Sequence, residues 1–350
     1  MTRTPERMDA LRRFAAGASG SNRIEVEPAS ADASFRSYWR VEADGHPARV
    51  VMDAPPDKED IGPWLDIGRR LRAAGLHAPA VLAVDREQGF VLMEDLGSRT
   101  YLPALNDATV DALYADALDA LLRMQTHIGT DGLPAYDRDR LVAEMELLPE
   151  WFLARHLDYT PTCEEWDVIE AAFTFLVHAA LEQPRAFVHR DYHSRNLLIT
   201  DDEGAPGLDR PALPNPAIID FQDGVSGPIS YDLVSLLRDC YIEWPPQRID
   251  GWVEAYRQRL RHARIIDADV DQTRFRRWFD LIGVQRHLKV LGIFCRLWYR
   301  DGKPQYLADL PLVWRYVTTV ASGYPQLETF VALLERARGG RDITQARETA

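Results

Sequence analysis

At 350 residues, 46% of them apolar, the chain is long enough for a large core or for two domains. Its 54 acidic residues outnumber 41 basic ones, and the formal net charge of −13 argues against a nucleic-acid or anionic-membrane surface. An anionic ligand must then be held by local arginines, backbone N–H groups and metal, not by the overall field. The three cysteines, Cys163, Cys240 and Cys295, are far apart and read as small buried hydrophobes in a reducing compartment. No run approaches the ~18 apolar residues of a spanning helix. The arginines at the N-terminus precede no apolar run of the kind a secretory signal needs. A cytoplasmic protein with no nucleic-acid or membrane partner is expected.

In chain order, Pro5–Ala16 reads as a helix ended by Gly17 and Gly20. Strand-like pieces follow at Ile24–Glu27, Phe35–Val41 and Ala48–Asp53, with Asp44-Gly45 as a hairpin turn and Pro55-Pro56 as a stop. A helix from Ile61 to Ala74 closes at Gly75, and Val81–Val84 and Gly89–Met93 give two more strands before Glu94-Asp-Leu-Gly97. The remainder is mostly helical: Asp107–Ile128, a helix opened by the capping box Thr162-x-x-Glu165 and running to Leu181, then Ser230–Glu243, Ile249–Ala263 and Gln272–Arg300. The pattern predicts an α+β, bilobal protein-kinase-like fold. A β-rich N-terminal lobe would span residues 1–97 with a hinge at 93–97, and a helical C-terminal lobe residues 98–350.

Two apolar runs carry the chemistry. Phe187-Val-His-Arg-Asp-Tyr-His-Ser-Arg-Asn-Leu-Leu-Ile-Thr200 is followed, after a polar, Pro-rich stretch from 201 to 216 read as a hairpin turn, by Ala217-Ile-Ile-Asp-Phe-Gln-Asp223. Asp191, Asn196 and Asp220 form the acid–amide–acid set that phosphoryl transfer from Mg-ATP needs. Asp191 would accept the proton of the attacking hydroxyl, and Asn196 and Asp220 would hold Mg²⁺. His189 would anchor the loop through a backbone hydrogen bond. At the hinge, the backbone of Glu94 and Leu96 can offer the adenine edge an acceptor and a donor.

At these residues the chain resembles the aminoglycoside phosphotransferase and choline kinase superfamily. More narrowly, it resembles the bacterial anomeric kinases acting on N-acetylmuramate and N-acetylglucosamine in cell-wall sugar recycling. The narrower resemblance rests on Ser30-Ala-Asp-Ala-Ser-Phe-Arg36, Val50-Val-Met-Asp-Ala-Pro-Pro56, Met93-Glu-Asp-Leu-Gly97, Tyr231-Asp-Leu-Val-Ser-Leu-Leu-Arg-Asp-Cys-Tyr241 and Gly283-Val-Gln-Arg-His-Leu-Lys-Val-Leu-Gly292, beside the catalytic blocks. It implies transfer of the γ-phosphoryl of ATP to the C1 hydroxyl of a small amino sugar, and a bracing role for Asp232 beneath the catalytic loop.

Two departures from the kinase pattern stand out. The third strand, where a kinase presents a lysine to the phosphates, has Met52 near that position, and the first lysine in the chain is Lys58. Arg36, Arg40 or Arg49 could supply the cation. The Gly-rich loop is replaced by Ser30-Ala-Asp-Ala-Ser34, whose Ser30 and Ser34 hydroxyls can donate to phosphate oxygens. For the sugar, Tyr192, His193, Arg195, Asp223 and Arg238 are candidates near the base, and Arg286, Arg296 and Arg300 lie on an Arg- and aromatic-rich helix suited to a ring and a carboxylate. The alternatives are an aminoglycoside phosphotransferase, with an acidic acceptor pocket, and a nucleotide-binding pseudokinase, suggested by the missing lysine.

Overall fold

The computed structural model describes residues 4–21, 23–31 (backbone only for 30 and 31), 35–200 and 213–347. Ser34 and most of the turn between Asn196 and Asp220 therefore lie outside the described residues. The chain divides into two compact units, residues 1–124 with 195–223, and residues 125–194 with 224–350. The sequence reading placed its lobe boundary at residue 97; by packing, the helix after the hinge and the Asn196–Asp220 segment group with the N-terminal sheet.

In the first unit, helix α1 (Pro5–Ser19) opens with Thr4 Oγ1 accepting from Arg7 N–H and closes at Gly20 in the left-handed region, φ +65°. Strands β1 (Ile24–Ala31), β2 (Ser37–Ala43) and β3 (Arg49–Asp53) lead to helix α2 (Gly62–Ala73), then to β4 (Val81–Asp85) and β5 (Phe90–Glu94). They form one antiparallel sheet in the order β1-β2-β3-β5-β4. Because side chains alternate along a strand, the sheet has two distinct faces. Val41, Val51, Phe90 and Leu92 pack with Leu11 and Ala15 of α1. In the opposite phase, Arg40 pairs with Val50 and Val50 with Met93, so these three share the other face with Tyr38.

After β5 come the short α3 (Tyr101–Ala104) and the long α4 (Val110–His127). Later in the chain, β7 (Leu197–Leu198) and β8 (Ala217–Ile218) pair antiparallel, in the hairpin read from sequence. Asn196 and Asp220 sit just outside its paired residues. The hairpin is tied to this unit by Ile218 N–H to His77 O (2.8 Å) and Ile199 N–H to Arg99 O (2.8 Å). Phe221, just past it, packs on Trp64 of α2 with ring centroids 5.2 Å apart. Gly68 permits this, since a Cβ there would lie 3.2 Å from the Phe221 ring.

The second unit is helical except for β6 (Arg185–Val188) paired with β9 (Val225–Pro228). Its helices are α5 (Arg138–Met145), α6 (Cys163–Leu181), α7 (Tyr231–Leu237), α8 (Pro246–His262), α9 (Gln272–Tyr299), α10 (Leu310–Ala321) and α11 (Glu328–Arg338), with a π-helix at Leu148–His156. The capping box Thr162/Glu165 that opens α6 is made in both directions. Helix α9 is 28 residues long, and Gly292 lets it pass the start of the π-helix, for a Cβ there would lie 2.3 Å from Leu147 O. Helix α7 ends at Leu237, short of the expected Glu243. Arg238 leaves helical geometry (φ −120°, ψ 55°), and the Asp239 carboxylate accepts from Ser194 N–H at 3.0 Å, which pulls the chain out of the helix. Among the described residues no helix is long and apolar enough to cross a membrane.

Candidate functional site

The first unit holds a pocket of about 460 Å³ on the face of the sheet away from α1. This lies within the usual size range of small-ligand sites. Tyr38, Arg40, Val50 and Met93 line it from the sheet, Glu94 to Gly97 from the chain after β5, and Arg195, Asn196, Ile219 and Asp220 from the β7–β8 hairpin. Leu96 lines it from the chain after β5. Glu94 is placed differently: its N–H donates to Ala80 O (2.9 Å), and its carboxylate accepts from Ala80 N–H (3.1 Å) beside Arg72 and His77. Burial works against the Glu94 charge, but His77, the Ala80 N–H and Arg72 hold its carboxyl below the usual range.

Of the three arginines expected to replace the missing lysine, only Arg40 lines this pocket. Its Nε donates to Asp95 Oδ2 at 2.5 Å and its Nη2 to Asp95 Oδ1 at 3.3 Å. Arg36 precedes β2, and Arg49, one residue from Val50, points to the other face. Met52, near the expected lysine position, is fully buried. Ser30 is the last residue but one of β1, where its backbone pairs with Tyr38.

At the hairpin end, Asn196 Nδ2 donates to Asp220 Oδ2 at 3.3 Å and Gln222 Nε2 to Asp220 Oδ1 at 2.9 Å. Asp220 holds a φ of +62°, in the left-handed region that a residue with a Cβ rarely adopts, and a locally strained backbone of this kind is concentrated at functional sites. An amide oxygen and a carboxylate are hard donors of the kind Mg²⁺ prefers, and Mg²⁺ commonly takes only one or two carboxylates beside phosphate oxygens and water. Among the described residues no group of three or more His, Cys, Asp or Glu side chains could hold a metal by itself. The residues therefore fit a cation that arrives with a phosphate ligand, not a resident metal in an all-protein cage. Asp223 is exposed beside Gln222.

The second unit carries the loop with Asp191. Asp232, fully buried on α7, accepts from His189 N–H at 2.6 Å and Arg190 N–H at 3.0 Å, and so holds the loop from beneath. Arg190 has a φ of +79°. Burial lifts the Asp232 carboxyl to about 7 against those two N–H groups, with the Asp191 charge adding to the rise. Asp191 behaves oppositely. Burial again opposes its charge, but Lys289, His193, Arg286 and Arg190 outweigh it and hold the carboxyl down at about 2.

This cationic surround was only partly visible in the sequence. Lys289 Nζ lies 3.1 Å from Glu144 Oε1, and the Arg190 guanidinium and Tyr136 hydroxyl donate to the same carboxylate. Glu144, Lys289 and Arg190 had no assigned role. The available signal was the spacing Arg286-x-x-Lys289, two cations about one helical turn apart.

Other candidates separate clearly. Tyr192 is fully buried against His189, and His193 meets the Tyr241 ring edge-on at 5.5 Å. Arg286 is buried, its Nη1 contacts Cys240 Sγ at 3.4 Å, and its Nε has no partner among the described residues. Arg238 pairs with Asp280 at 2.6 Å and stacks on Phe279, while its Nη1 has no partner among the described residues. Arg300 is exposed and pairs with Asp301, while burial and the charge of Arg300 depress the Arg296 guanidinium; neither reaches the Asp191 loop among the described contacts. Arg195, expected against the sugar, lines the pocket of the first unit instead.

A five-stranded antiparallel sheet followed by a mostly helical unit is a protein-kinase-like fold. Residues 25–266 match the model of the phosphotransferase enzyme family, and the chain belongs to that family. Among curated proteins, it is 42% identical over 313 residues to an N-acetylmuramate/N-acetylglucosamine kinase of Pseudomonas putida, covering 89% of this chain and 88% of that one. It is 43% identical over 311 residues to the protein of the same name from Pseudomonas aeruginosa, with the same coverage. Among solved structures, the fold is similar to an ADP-bound aminoglycoside phosphotransferase, APH(2'')-Ib (TM-score 0.54, 15% identity, 88% of this chain and 98% of that one). It is also similar to choline kinase from Streptococcus pneumoniae (TM-score 0.60, 14% identity, 90% and 99%).

Proposed function

We propose that this chain is an ATP-dependent kinase of N-acetylmuramate and N-acetylglucosamine that phosphorylates the C1 hydroxyl. The observation that carries the reaction is Asp191, a carboxylate kept ionised by Lys289, His193, Arg286 and Arg190 on a loop braced by Asp232. The substrate follows from the relatives at 42–43% identity, which carry that name.

In this reading residues 1–97 supply the nucleotide-binding lobe with the hinge at 93–97, and residues 98–350 the lobe with the catalytic loop. Leu96 would pair with the adenine edge through its backbone. Asn196 and Asp220 would hold Mg²⁺, which when bound neutralises phosphate charge. Asp191 would accept the hydroxyl proton at a carboxylate oxygen. A carboxyl with a pKa near 2 is a weak base, but phosphoryl transfer passes through a loose transition state in which the proton leaves late, so orienting the hydroxyl matters more than base strength.

The charge around Asp191 bears on the acceptor. Three permanently charged side chains, Lys289, Arg286 and Arg190, surround it. Glu144 pairs with Lys289 and Arg190, and Asp191 carries its own charge, so the cation not matched to a carboxylate is Arg286, which suits a neutral sugar or one bearing a carboxylate better than a polycationic aminoglycoside. The buried Arg286, whose Nε has no partner among the described residues, is the best-placed group for such a carboxylate.

The test is ³¹P NMR of purified protein with Mg-ATP and either sugar. A new phosphorus signal coupled to the anomeric proton is expected. A product phosphorylated at another hydroxyl would refute the C1 assignment, and ATP left intact with both sugars would refute the substrate reading. Turnover of kanamycin-type amines would then point to the aminoglycoside alternative, and none on any acceptor to the pseudokinase.

A further inference from the structure

The missing third-strand lysine leaves a vacancy that the pocket resolves in an unexpected way. Its lining holds two cations, Arg40 from the sheet and Arg195 from the chain entering the β7–β8 hairpin. Arg40 lies opposite Val50, and Val50 opposite Met93, which puts Arg40 beside the segment that ends in Leu96. There both its Nε and Nη2 donate to Asp95, whose Oδ1 also accepts from Gly97 N–H at 2.9 Å. The pair closer to the β1–β2 turn is Tyr38 and Met52, about 7 Å further along the strands and without charge. The sheet therefore delivers Arg40 to the pocket beside Asp95, next to the chain segment that would meet the base.

Arg195 enters the pocket with the Asn196–Asp220 pair. It lines the same pocket, immediately precedes Asn196, and belongs to the hairpin that fixes the Asn196–Asp220 pair through Ile219 N–H to Asn196 O at 3.1 Å. A guanidinium offers a planar fork that matches two oxygens of a phosphate, and it never loses its charge.

We propose that Arg195, and not an arginine of the sheet, is the cation that grips the terminal phosphate of the nucleotide, while the Arg40–Asp95 pair shapes the base-and-ribose end. The proposal rests on the ATP reading above and reassigns Arg195 from the sugar to the nucleotide.

The test is binding, not turnover, with ATP, ADP and adenosine titrated calorimetrically into wild type, R195Q, R195K and R40Q in the presence of Mg²⁺. R195Q should weaken ATP about tenfold or more, the value of a lost charged hydrogen bond, and leave adenosine within about twofold. R195K should fall between, keeping charge without the fork. R40Q should weaken all three ligands by similar factors. Unchanged ATP affinity in R195Q would overturn the proposal, as would an equal loss for adenosine, which would make Arg195 a structural residue of the pocket. Failure of the wild-type protein to bind ATP would refute the kinase reading itself, and is seen before any variant is compared.

Discussion

Replacing Lys289 with methionine tests the buried charge cluster while nearly preserving side-chain volume in α9. Lys289 is 7% exposed, with its Nζ 3.1 Å from Glu144 Oε1 and 3.4 Å from the Tyr231 hydroxyl. Deleting one partner of a buried ion pair costs about 3–5 kcal/mol, because the remaining charge is stranded. Glu144 is not stranded here, since it keeps Arg190 and Tyr136. The cost of K289M should therefore fall below that range, at about 2 kcal/mol. E144Q is the harsher change, for it strips the counter-charge from Lys289 and Arg190 together, and it should cost the full range of about 3–5 kcal/mol. Denaturant unfolding of both variants and the double variant, compared at a common slope, gives the order and the coupling. Losses below about 0.5 kcal/mol in both would refute the reasoning, because that is the scale of solvated surface charges. So would an E144Q milder than K289M.

Four further outcomes are expected. D191N should lower turnover by about 10² or more while ATP binding stays near wild type, checked by steady-state kinetics beside calorimetry. D220A should remove the Mg²⁺-dependence of ATP affinity, seen by titrating nucleotide with and without metal. R286K should reduce kcat/KM more for N-acetylmuramate, which bears a carboxylate, than for N-acetylglucosamine, which does not; equal losses would assign Arg286 to the base instead. The carboxyl of Asp232 stands at about 7 in the folded chain and near 3.9 when unfolded, so the folded state binds its proton more tightly. Its contribution to stability is complete below about 4 and is lost as pH rises through 7, and D232N should flatten the decline of unfolding free energy measured between pH 5 and 7.5.

Much of this protein was legible because its signals are local. Thr162 and Glu165 cap α6 from three residues apart, and Asp191, Asn196 and Asp220 carry their chemistry in residue types that few other roles require at that spacing. The alternation of β2, β3 and β5 likewise separates the α1 face of the sheet from the pocket face before any fold is known. Tertiary structure decided the rest, and always through partners distant in the chain. Asp95 takes Arg40, Asp280 takes Arg238, and Glu144 gathers Lys289 and Arg190. No periodicity announces such pairs, because an ion pair is set by where two elements cross and not by the order of residues within either. Helix α7 stops early for the same reason: the Asp239 carboxylate is claimed by Ser194 from outside the helix. The sequence by itself singled out Asp191, Asn196 and Asp220 as the candidates for the chemistry, whereas folding decided which arginines are matched to carboxylates, Arg40 to Asp95 and Arg238 to Asp280, because an ion pair is set by where two elements cross.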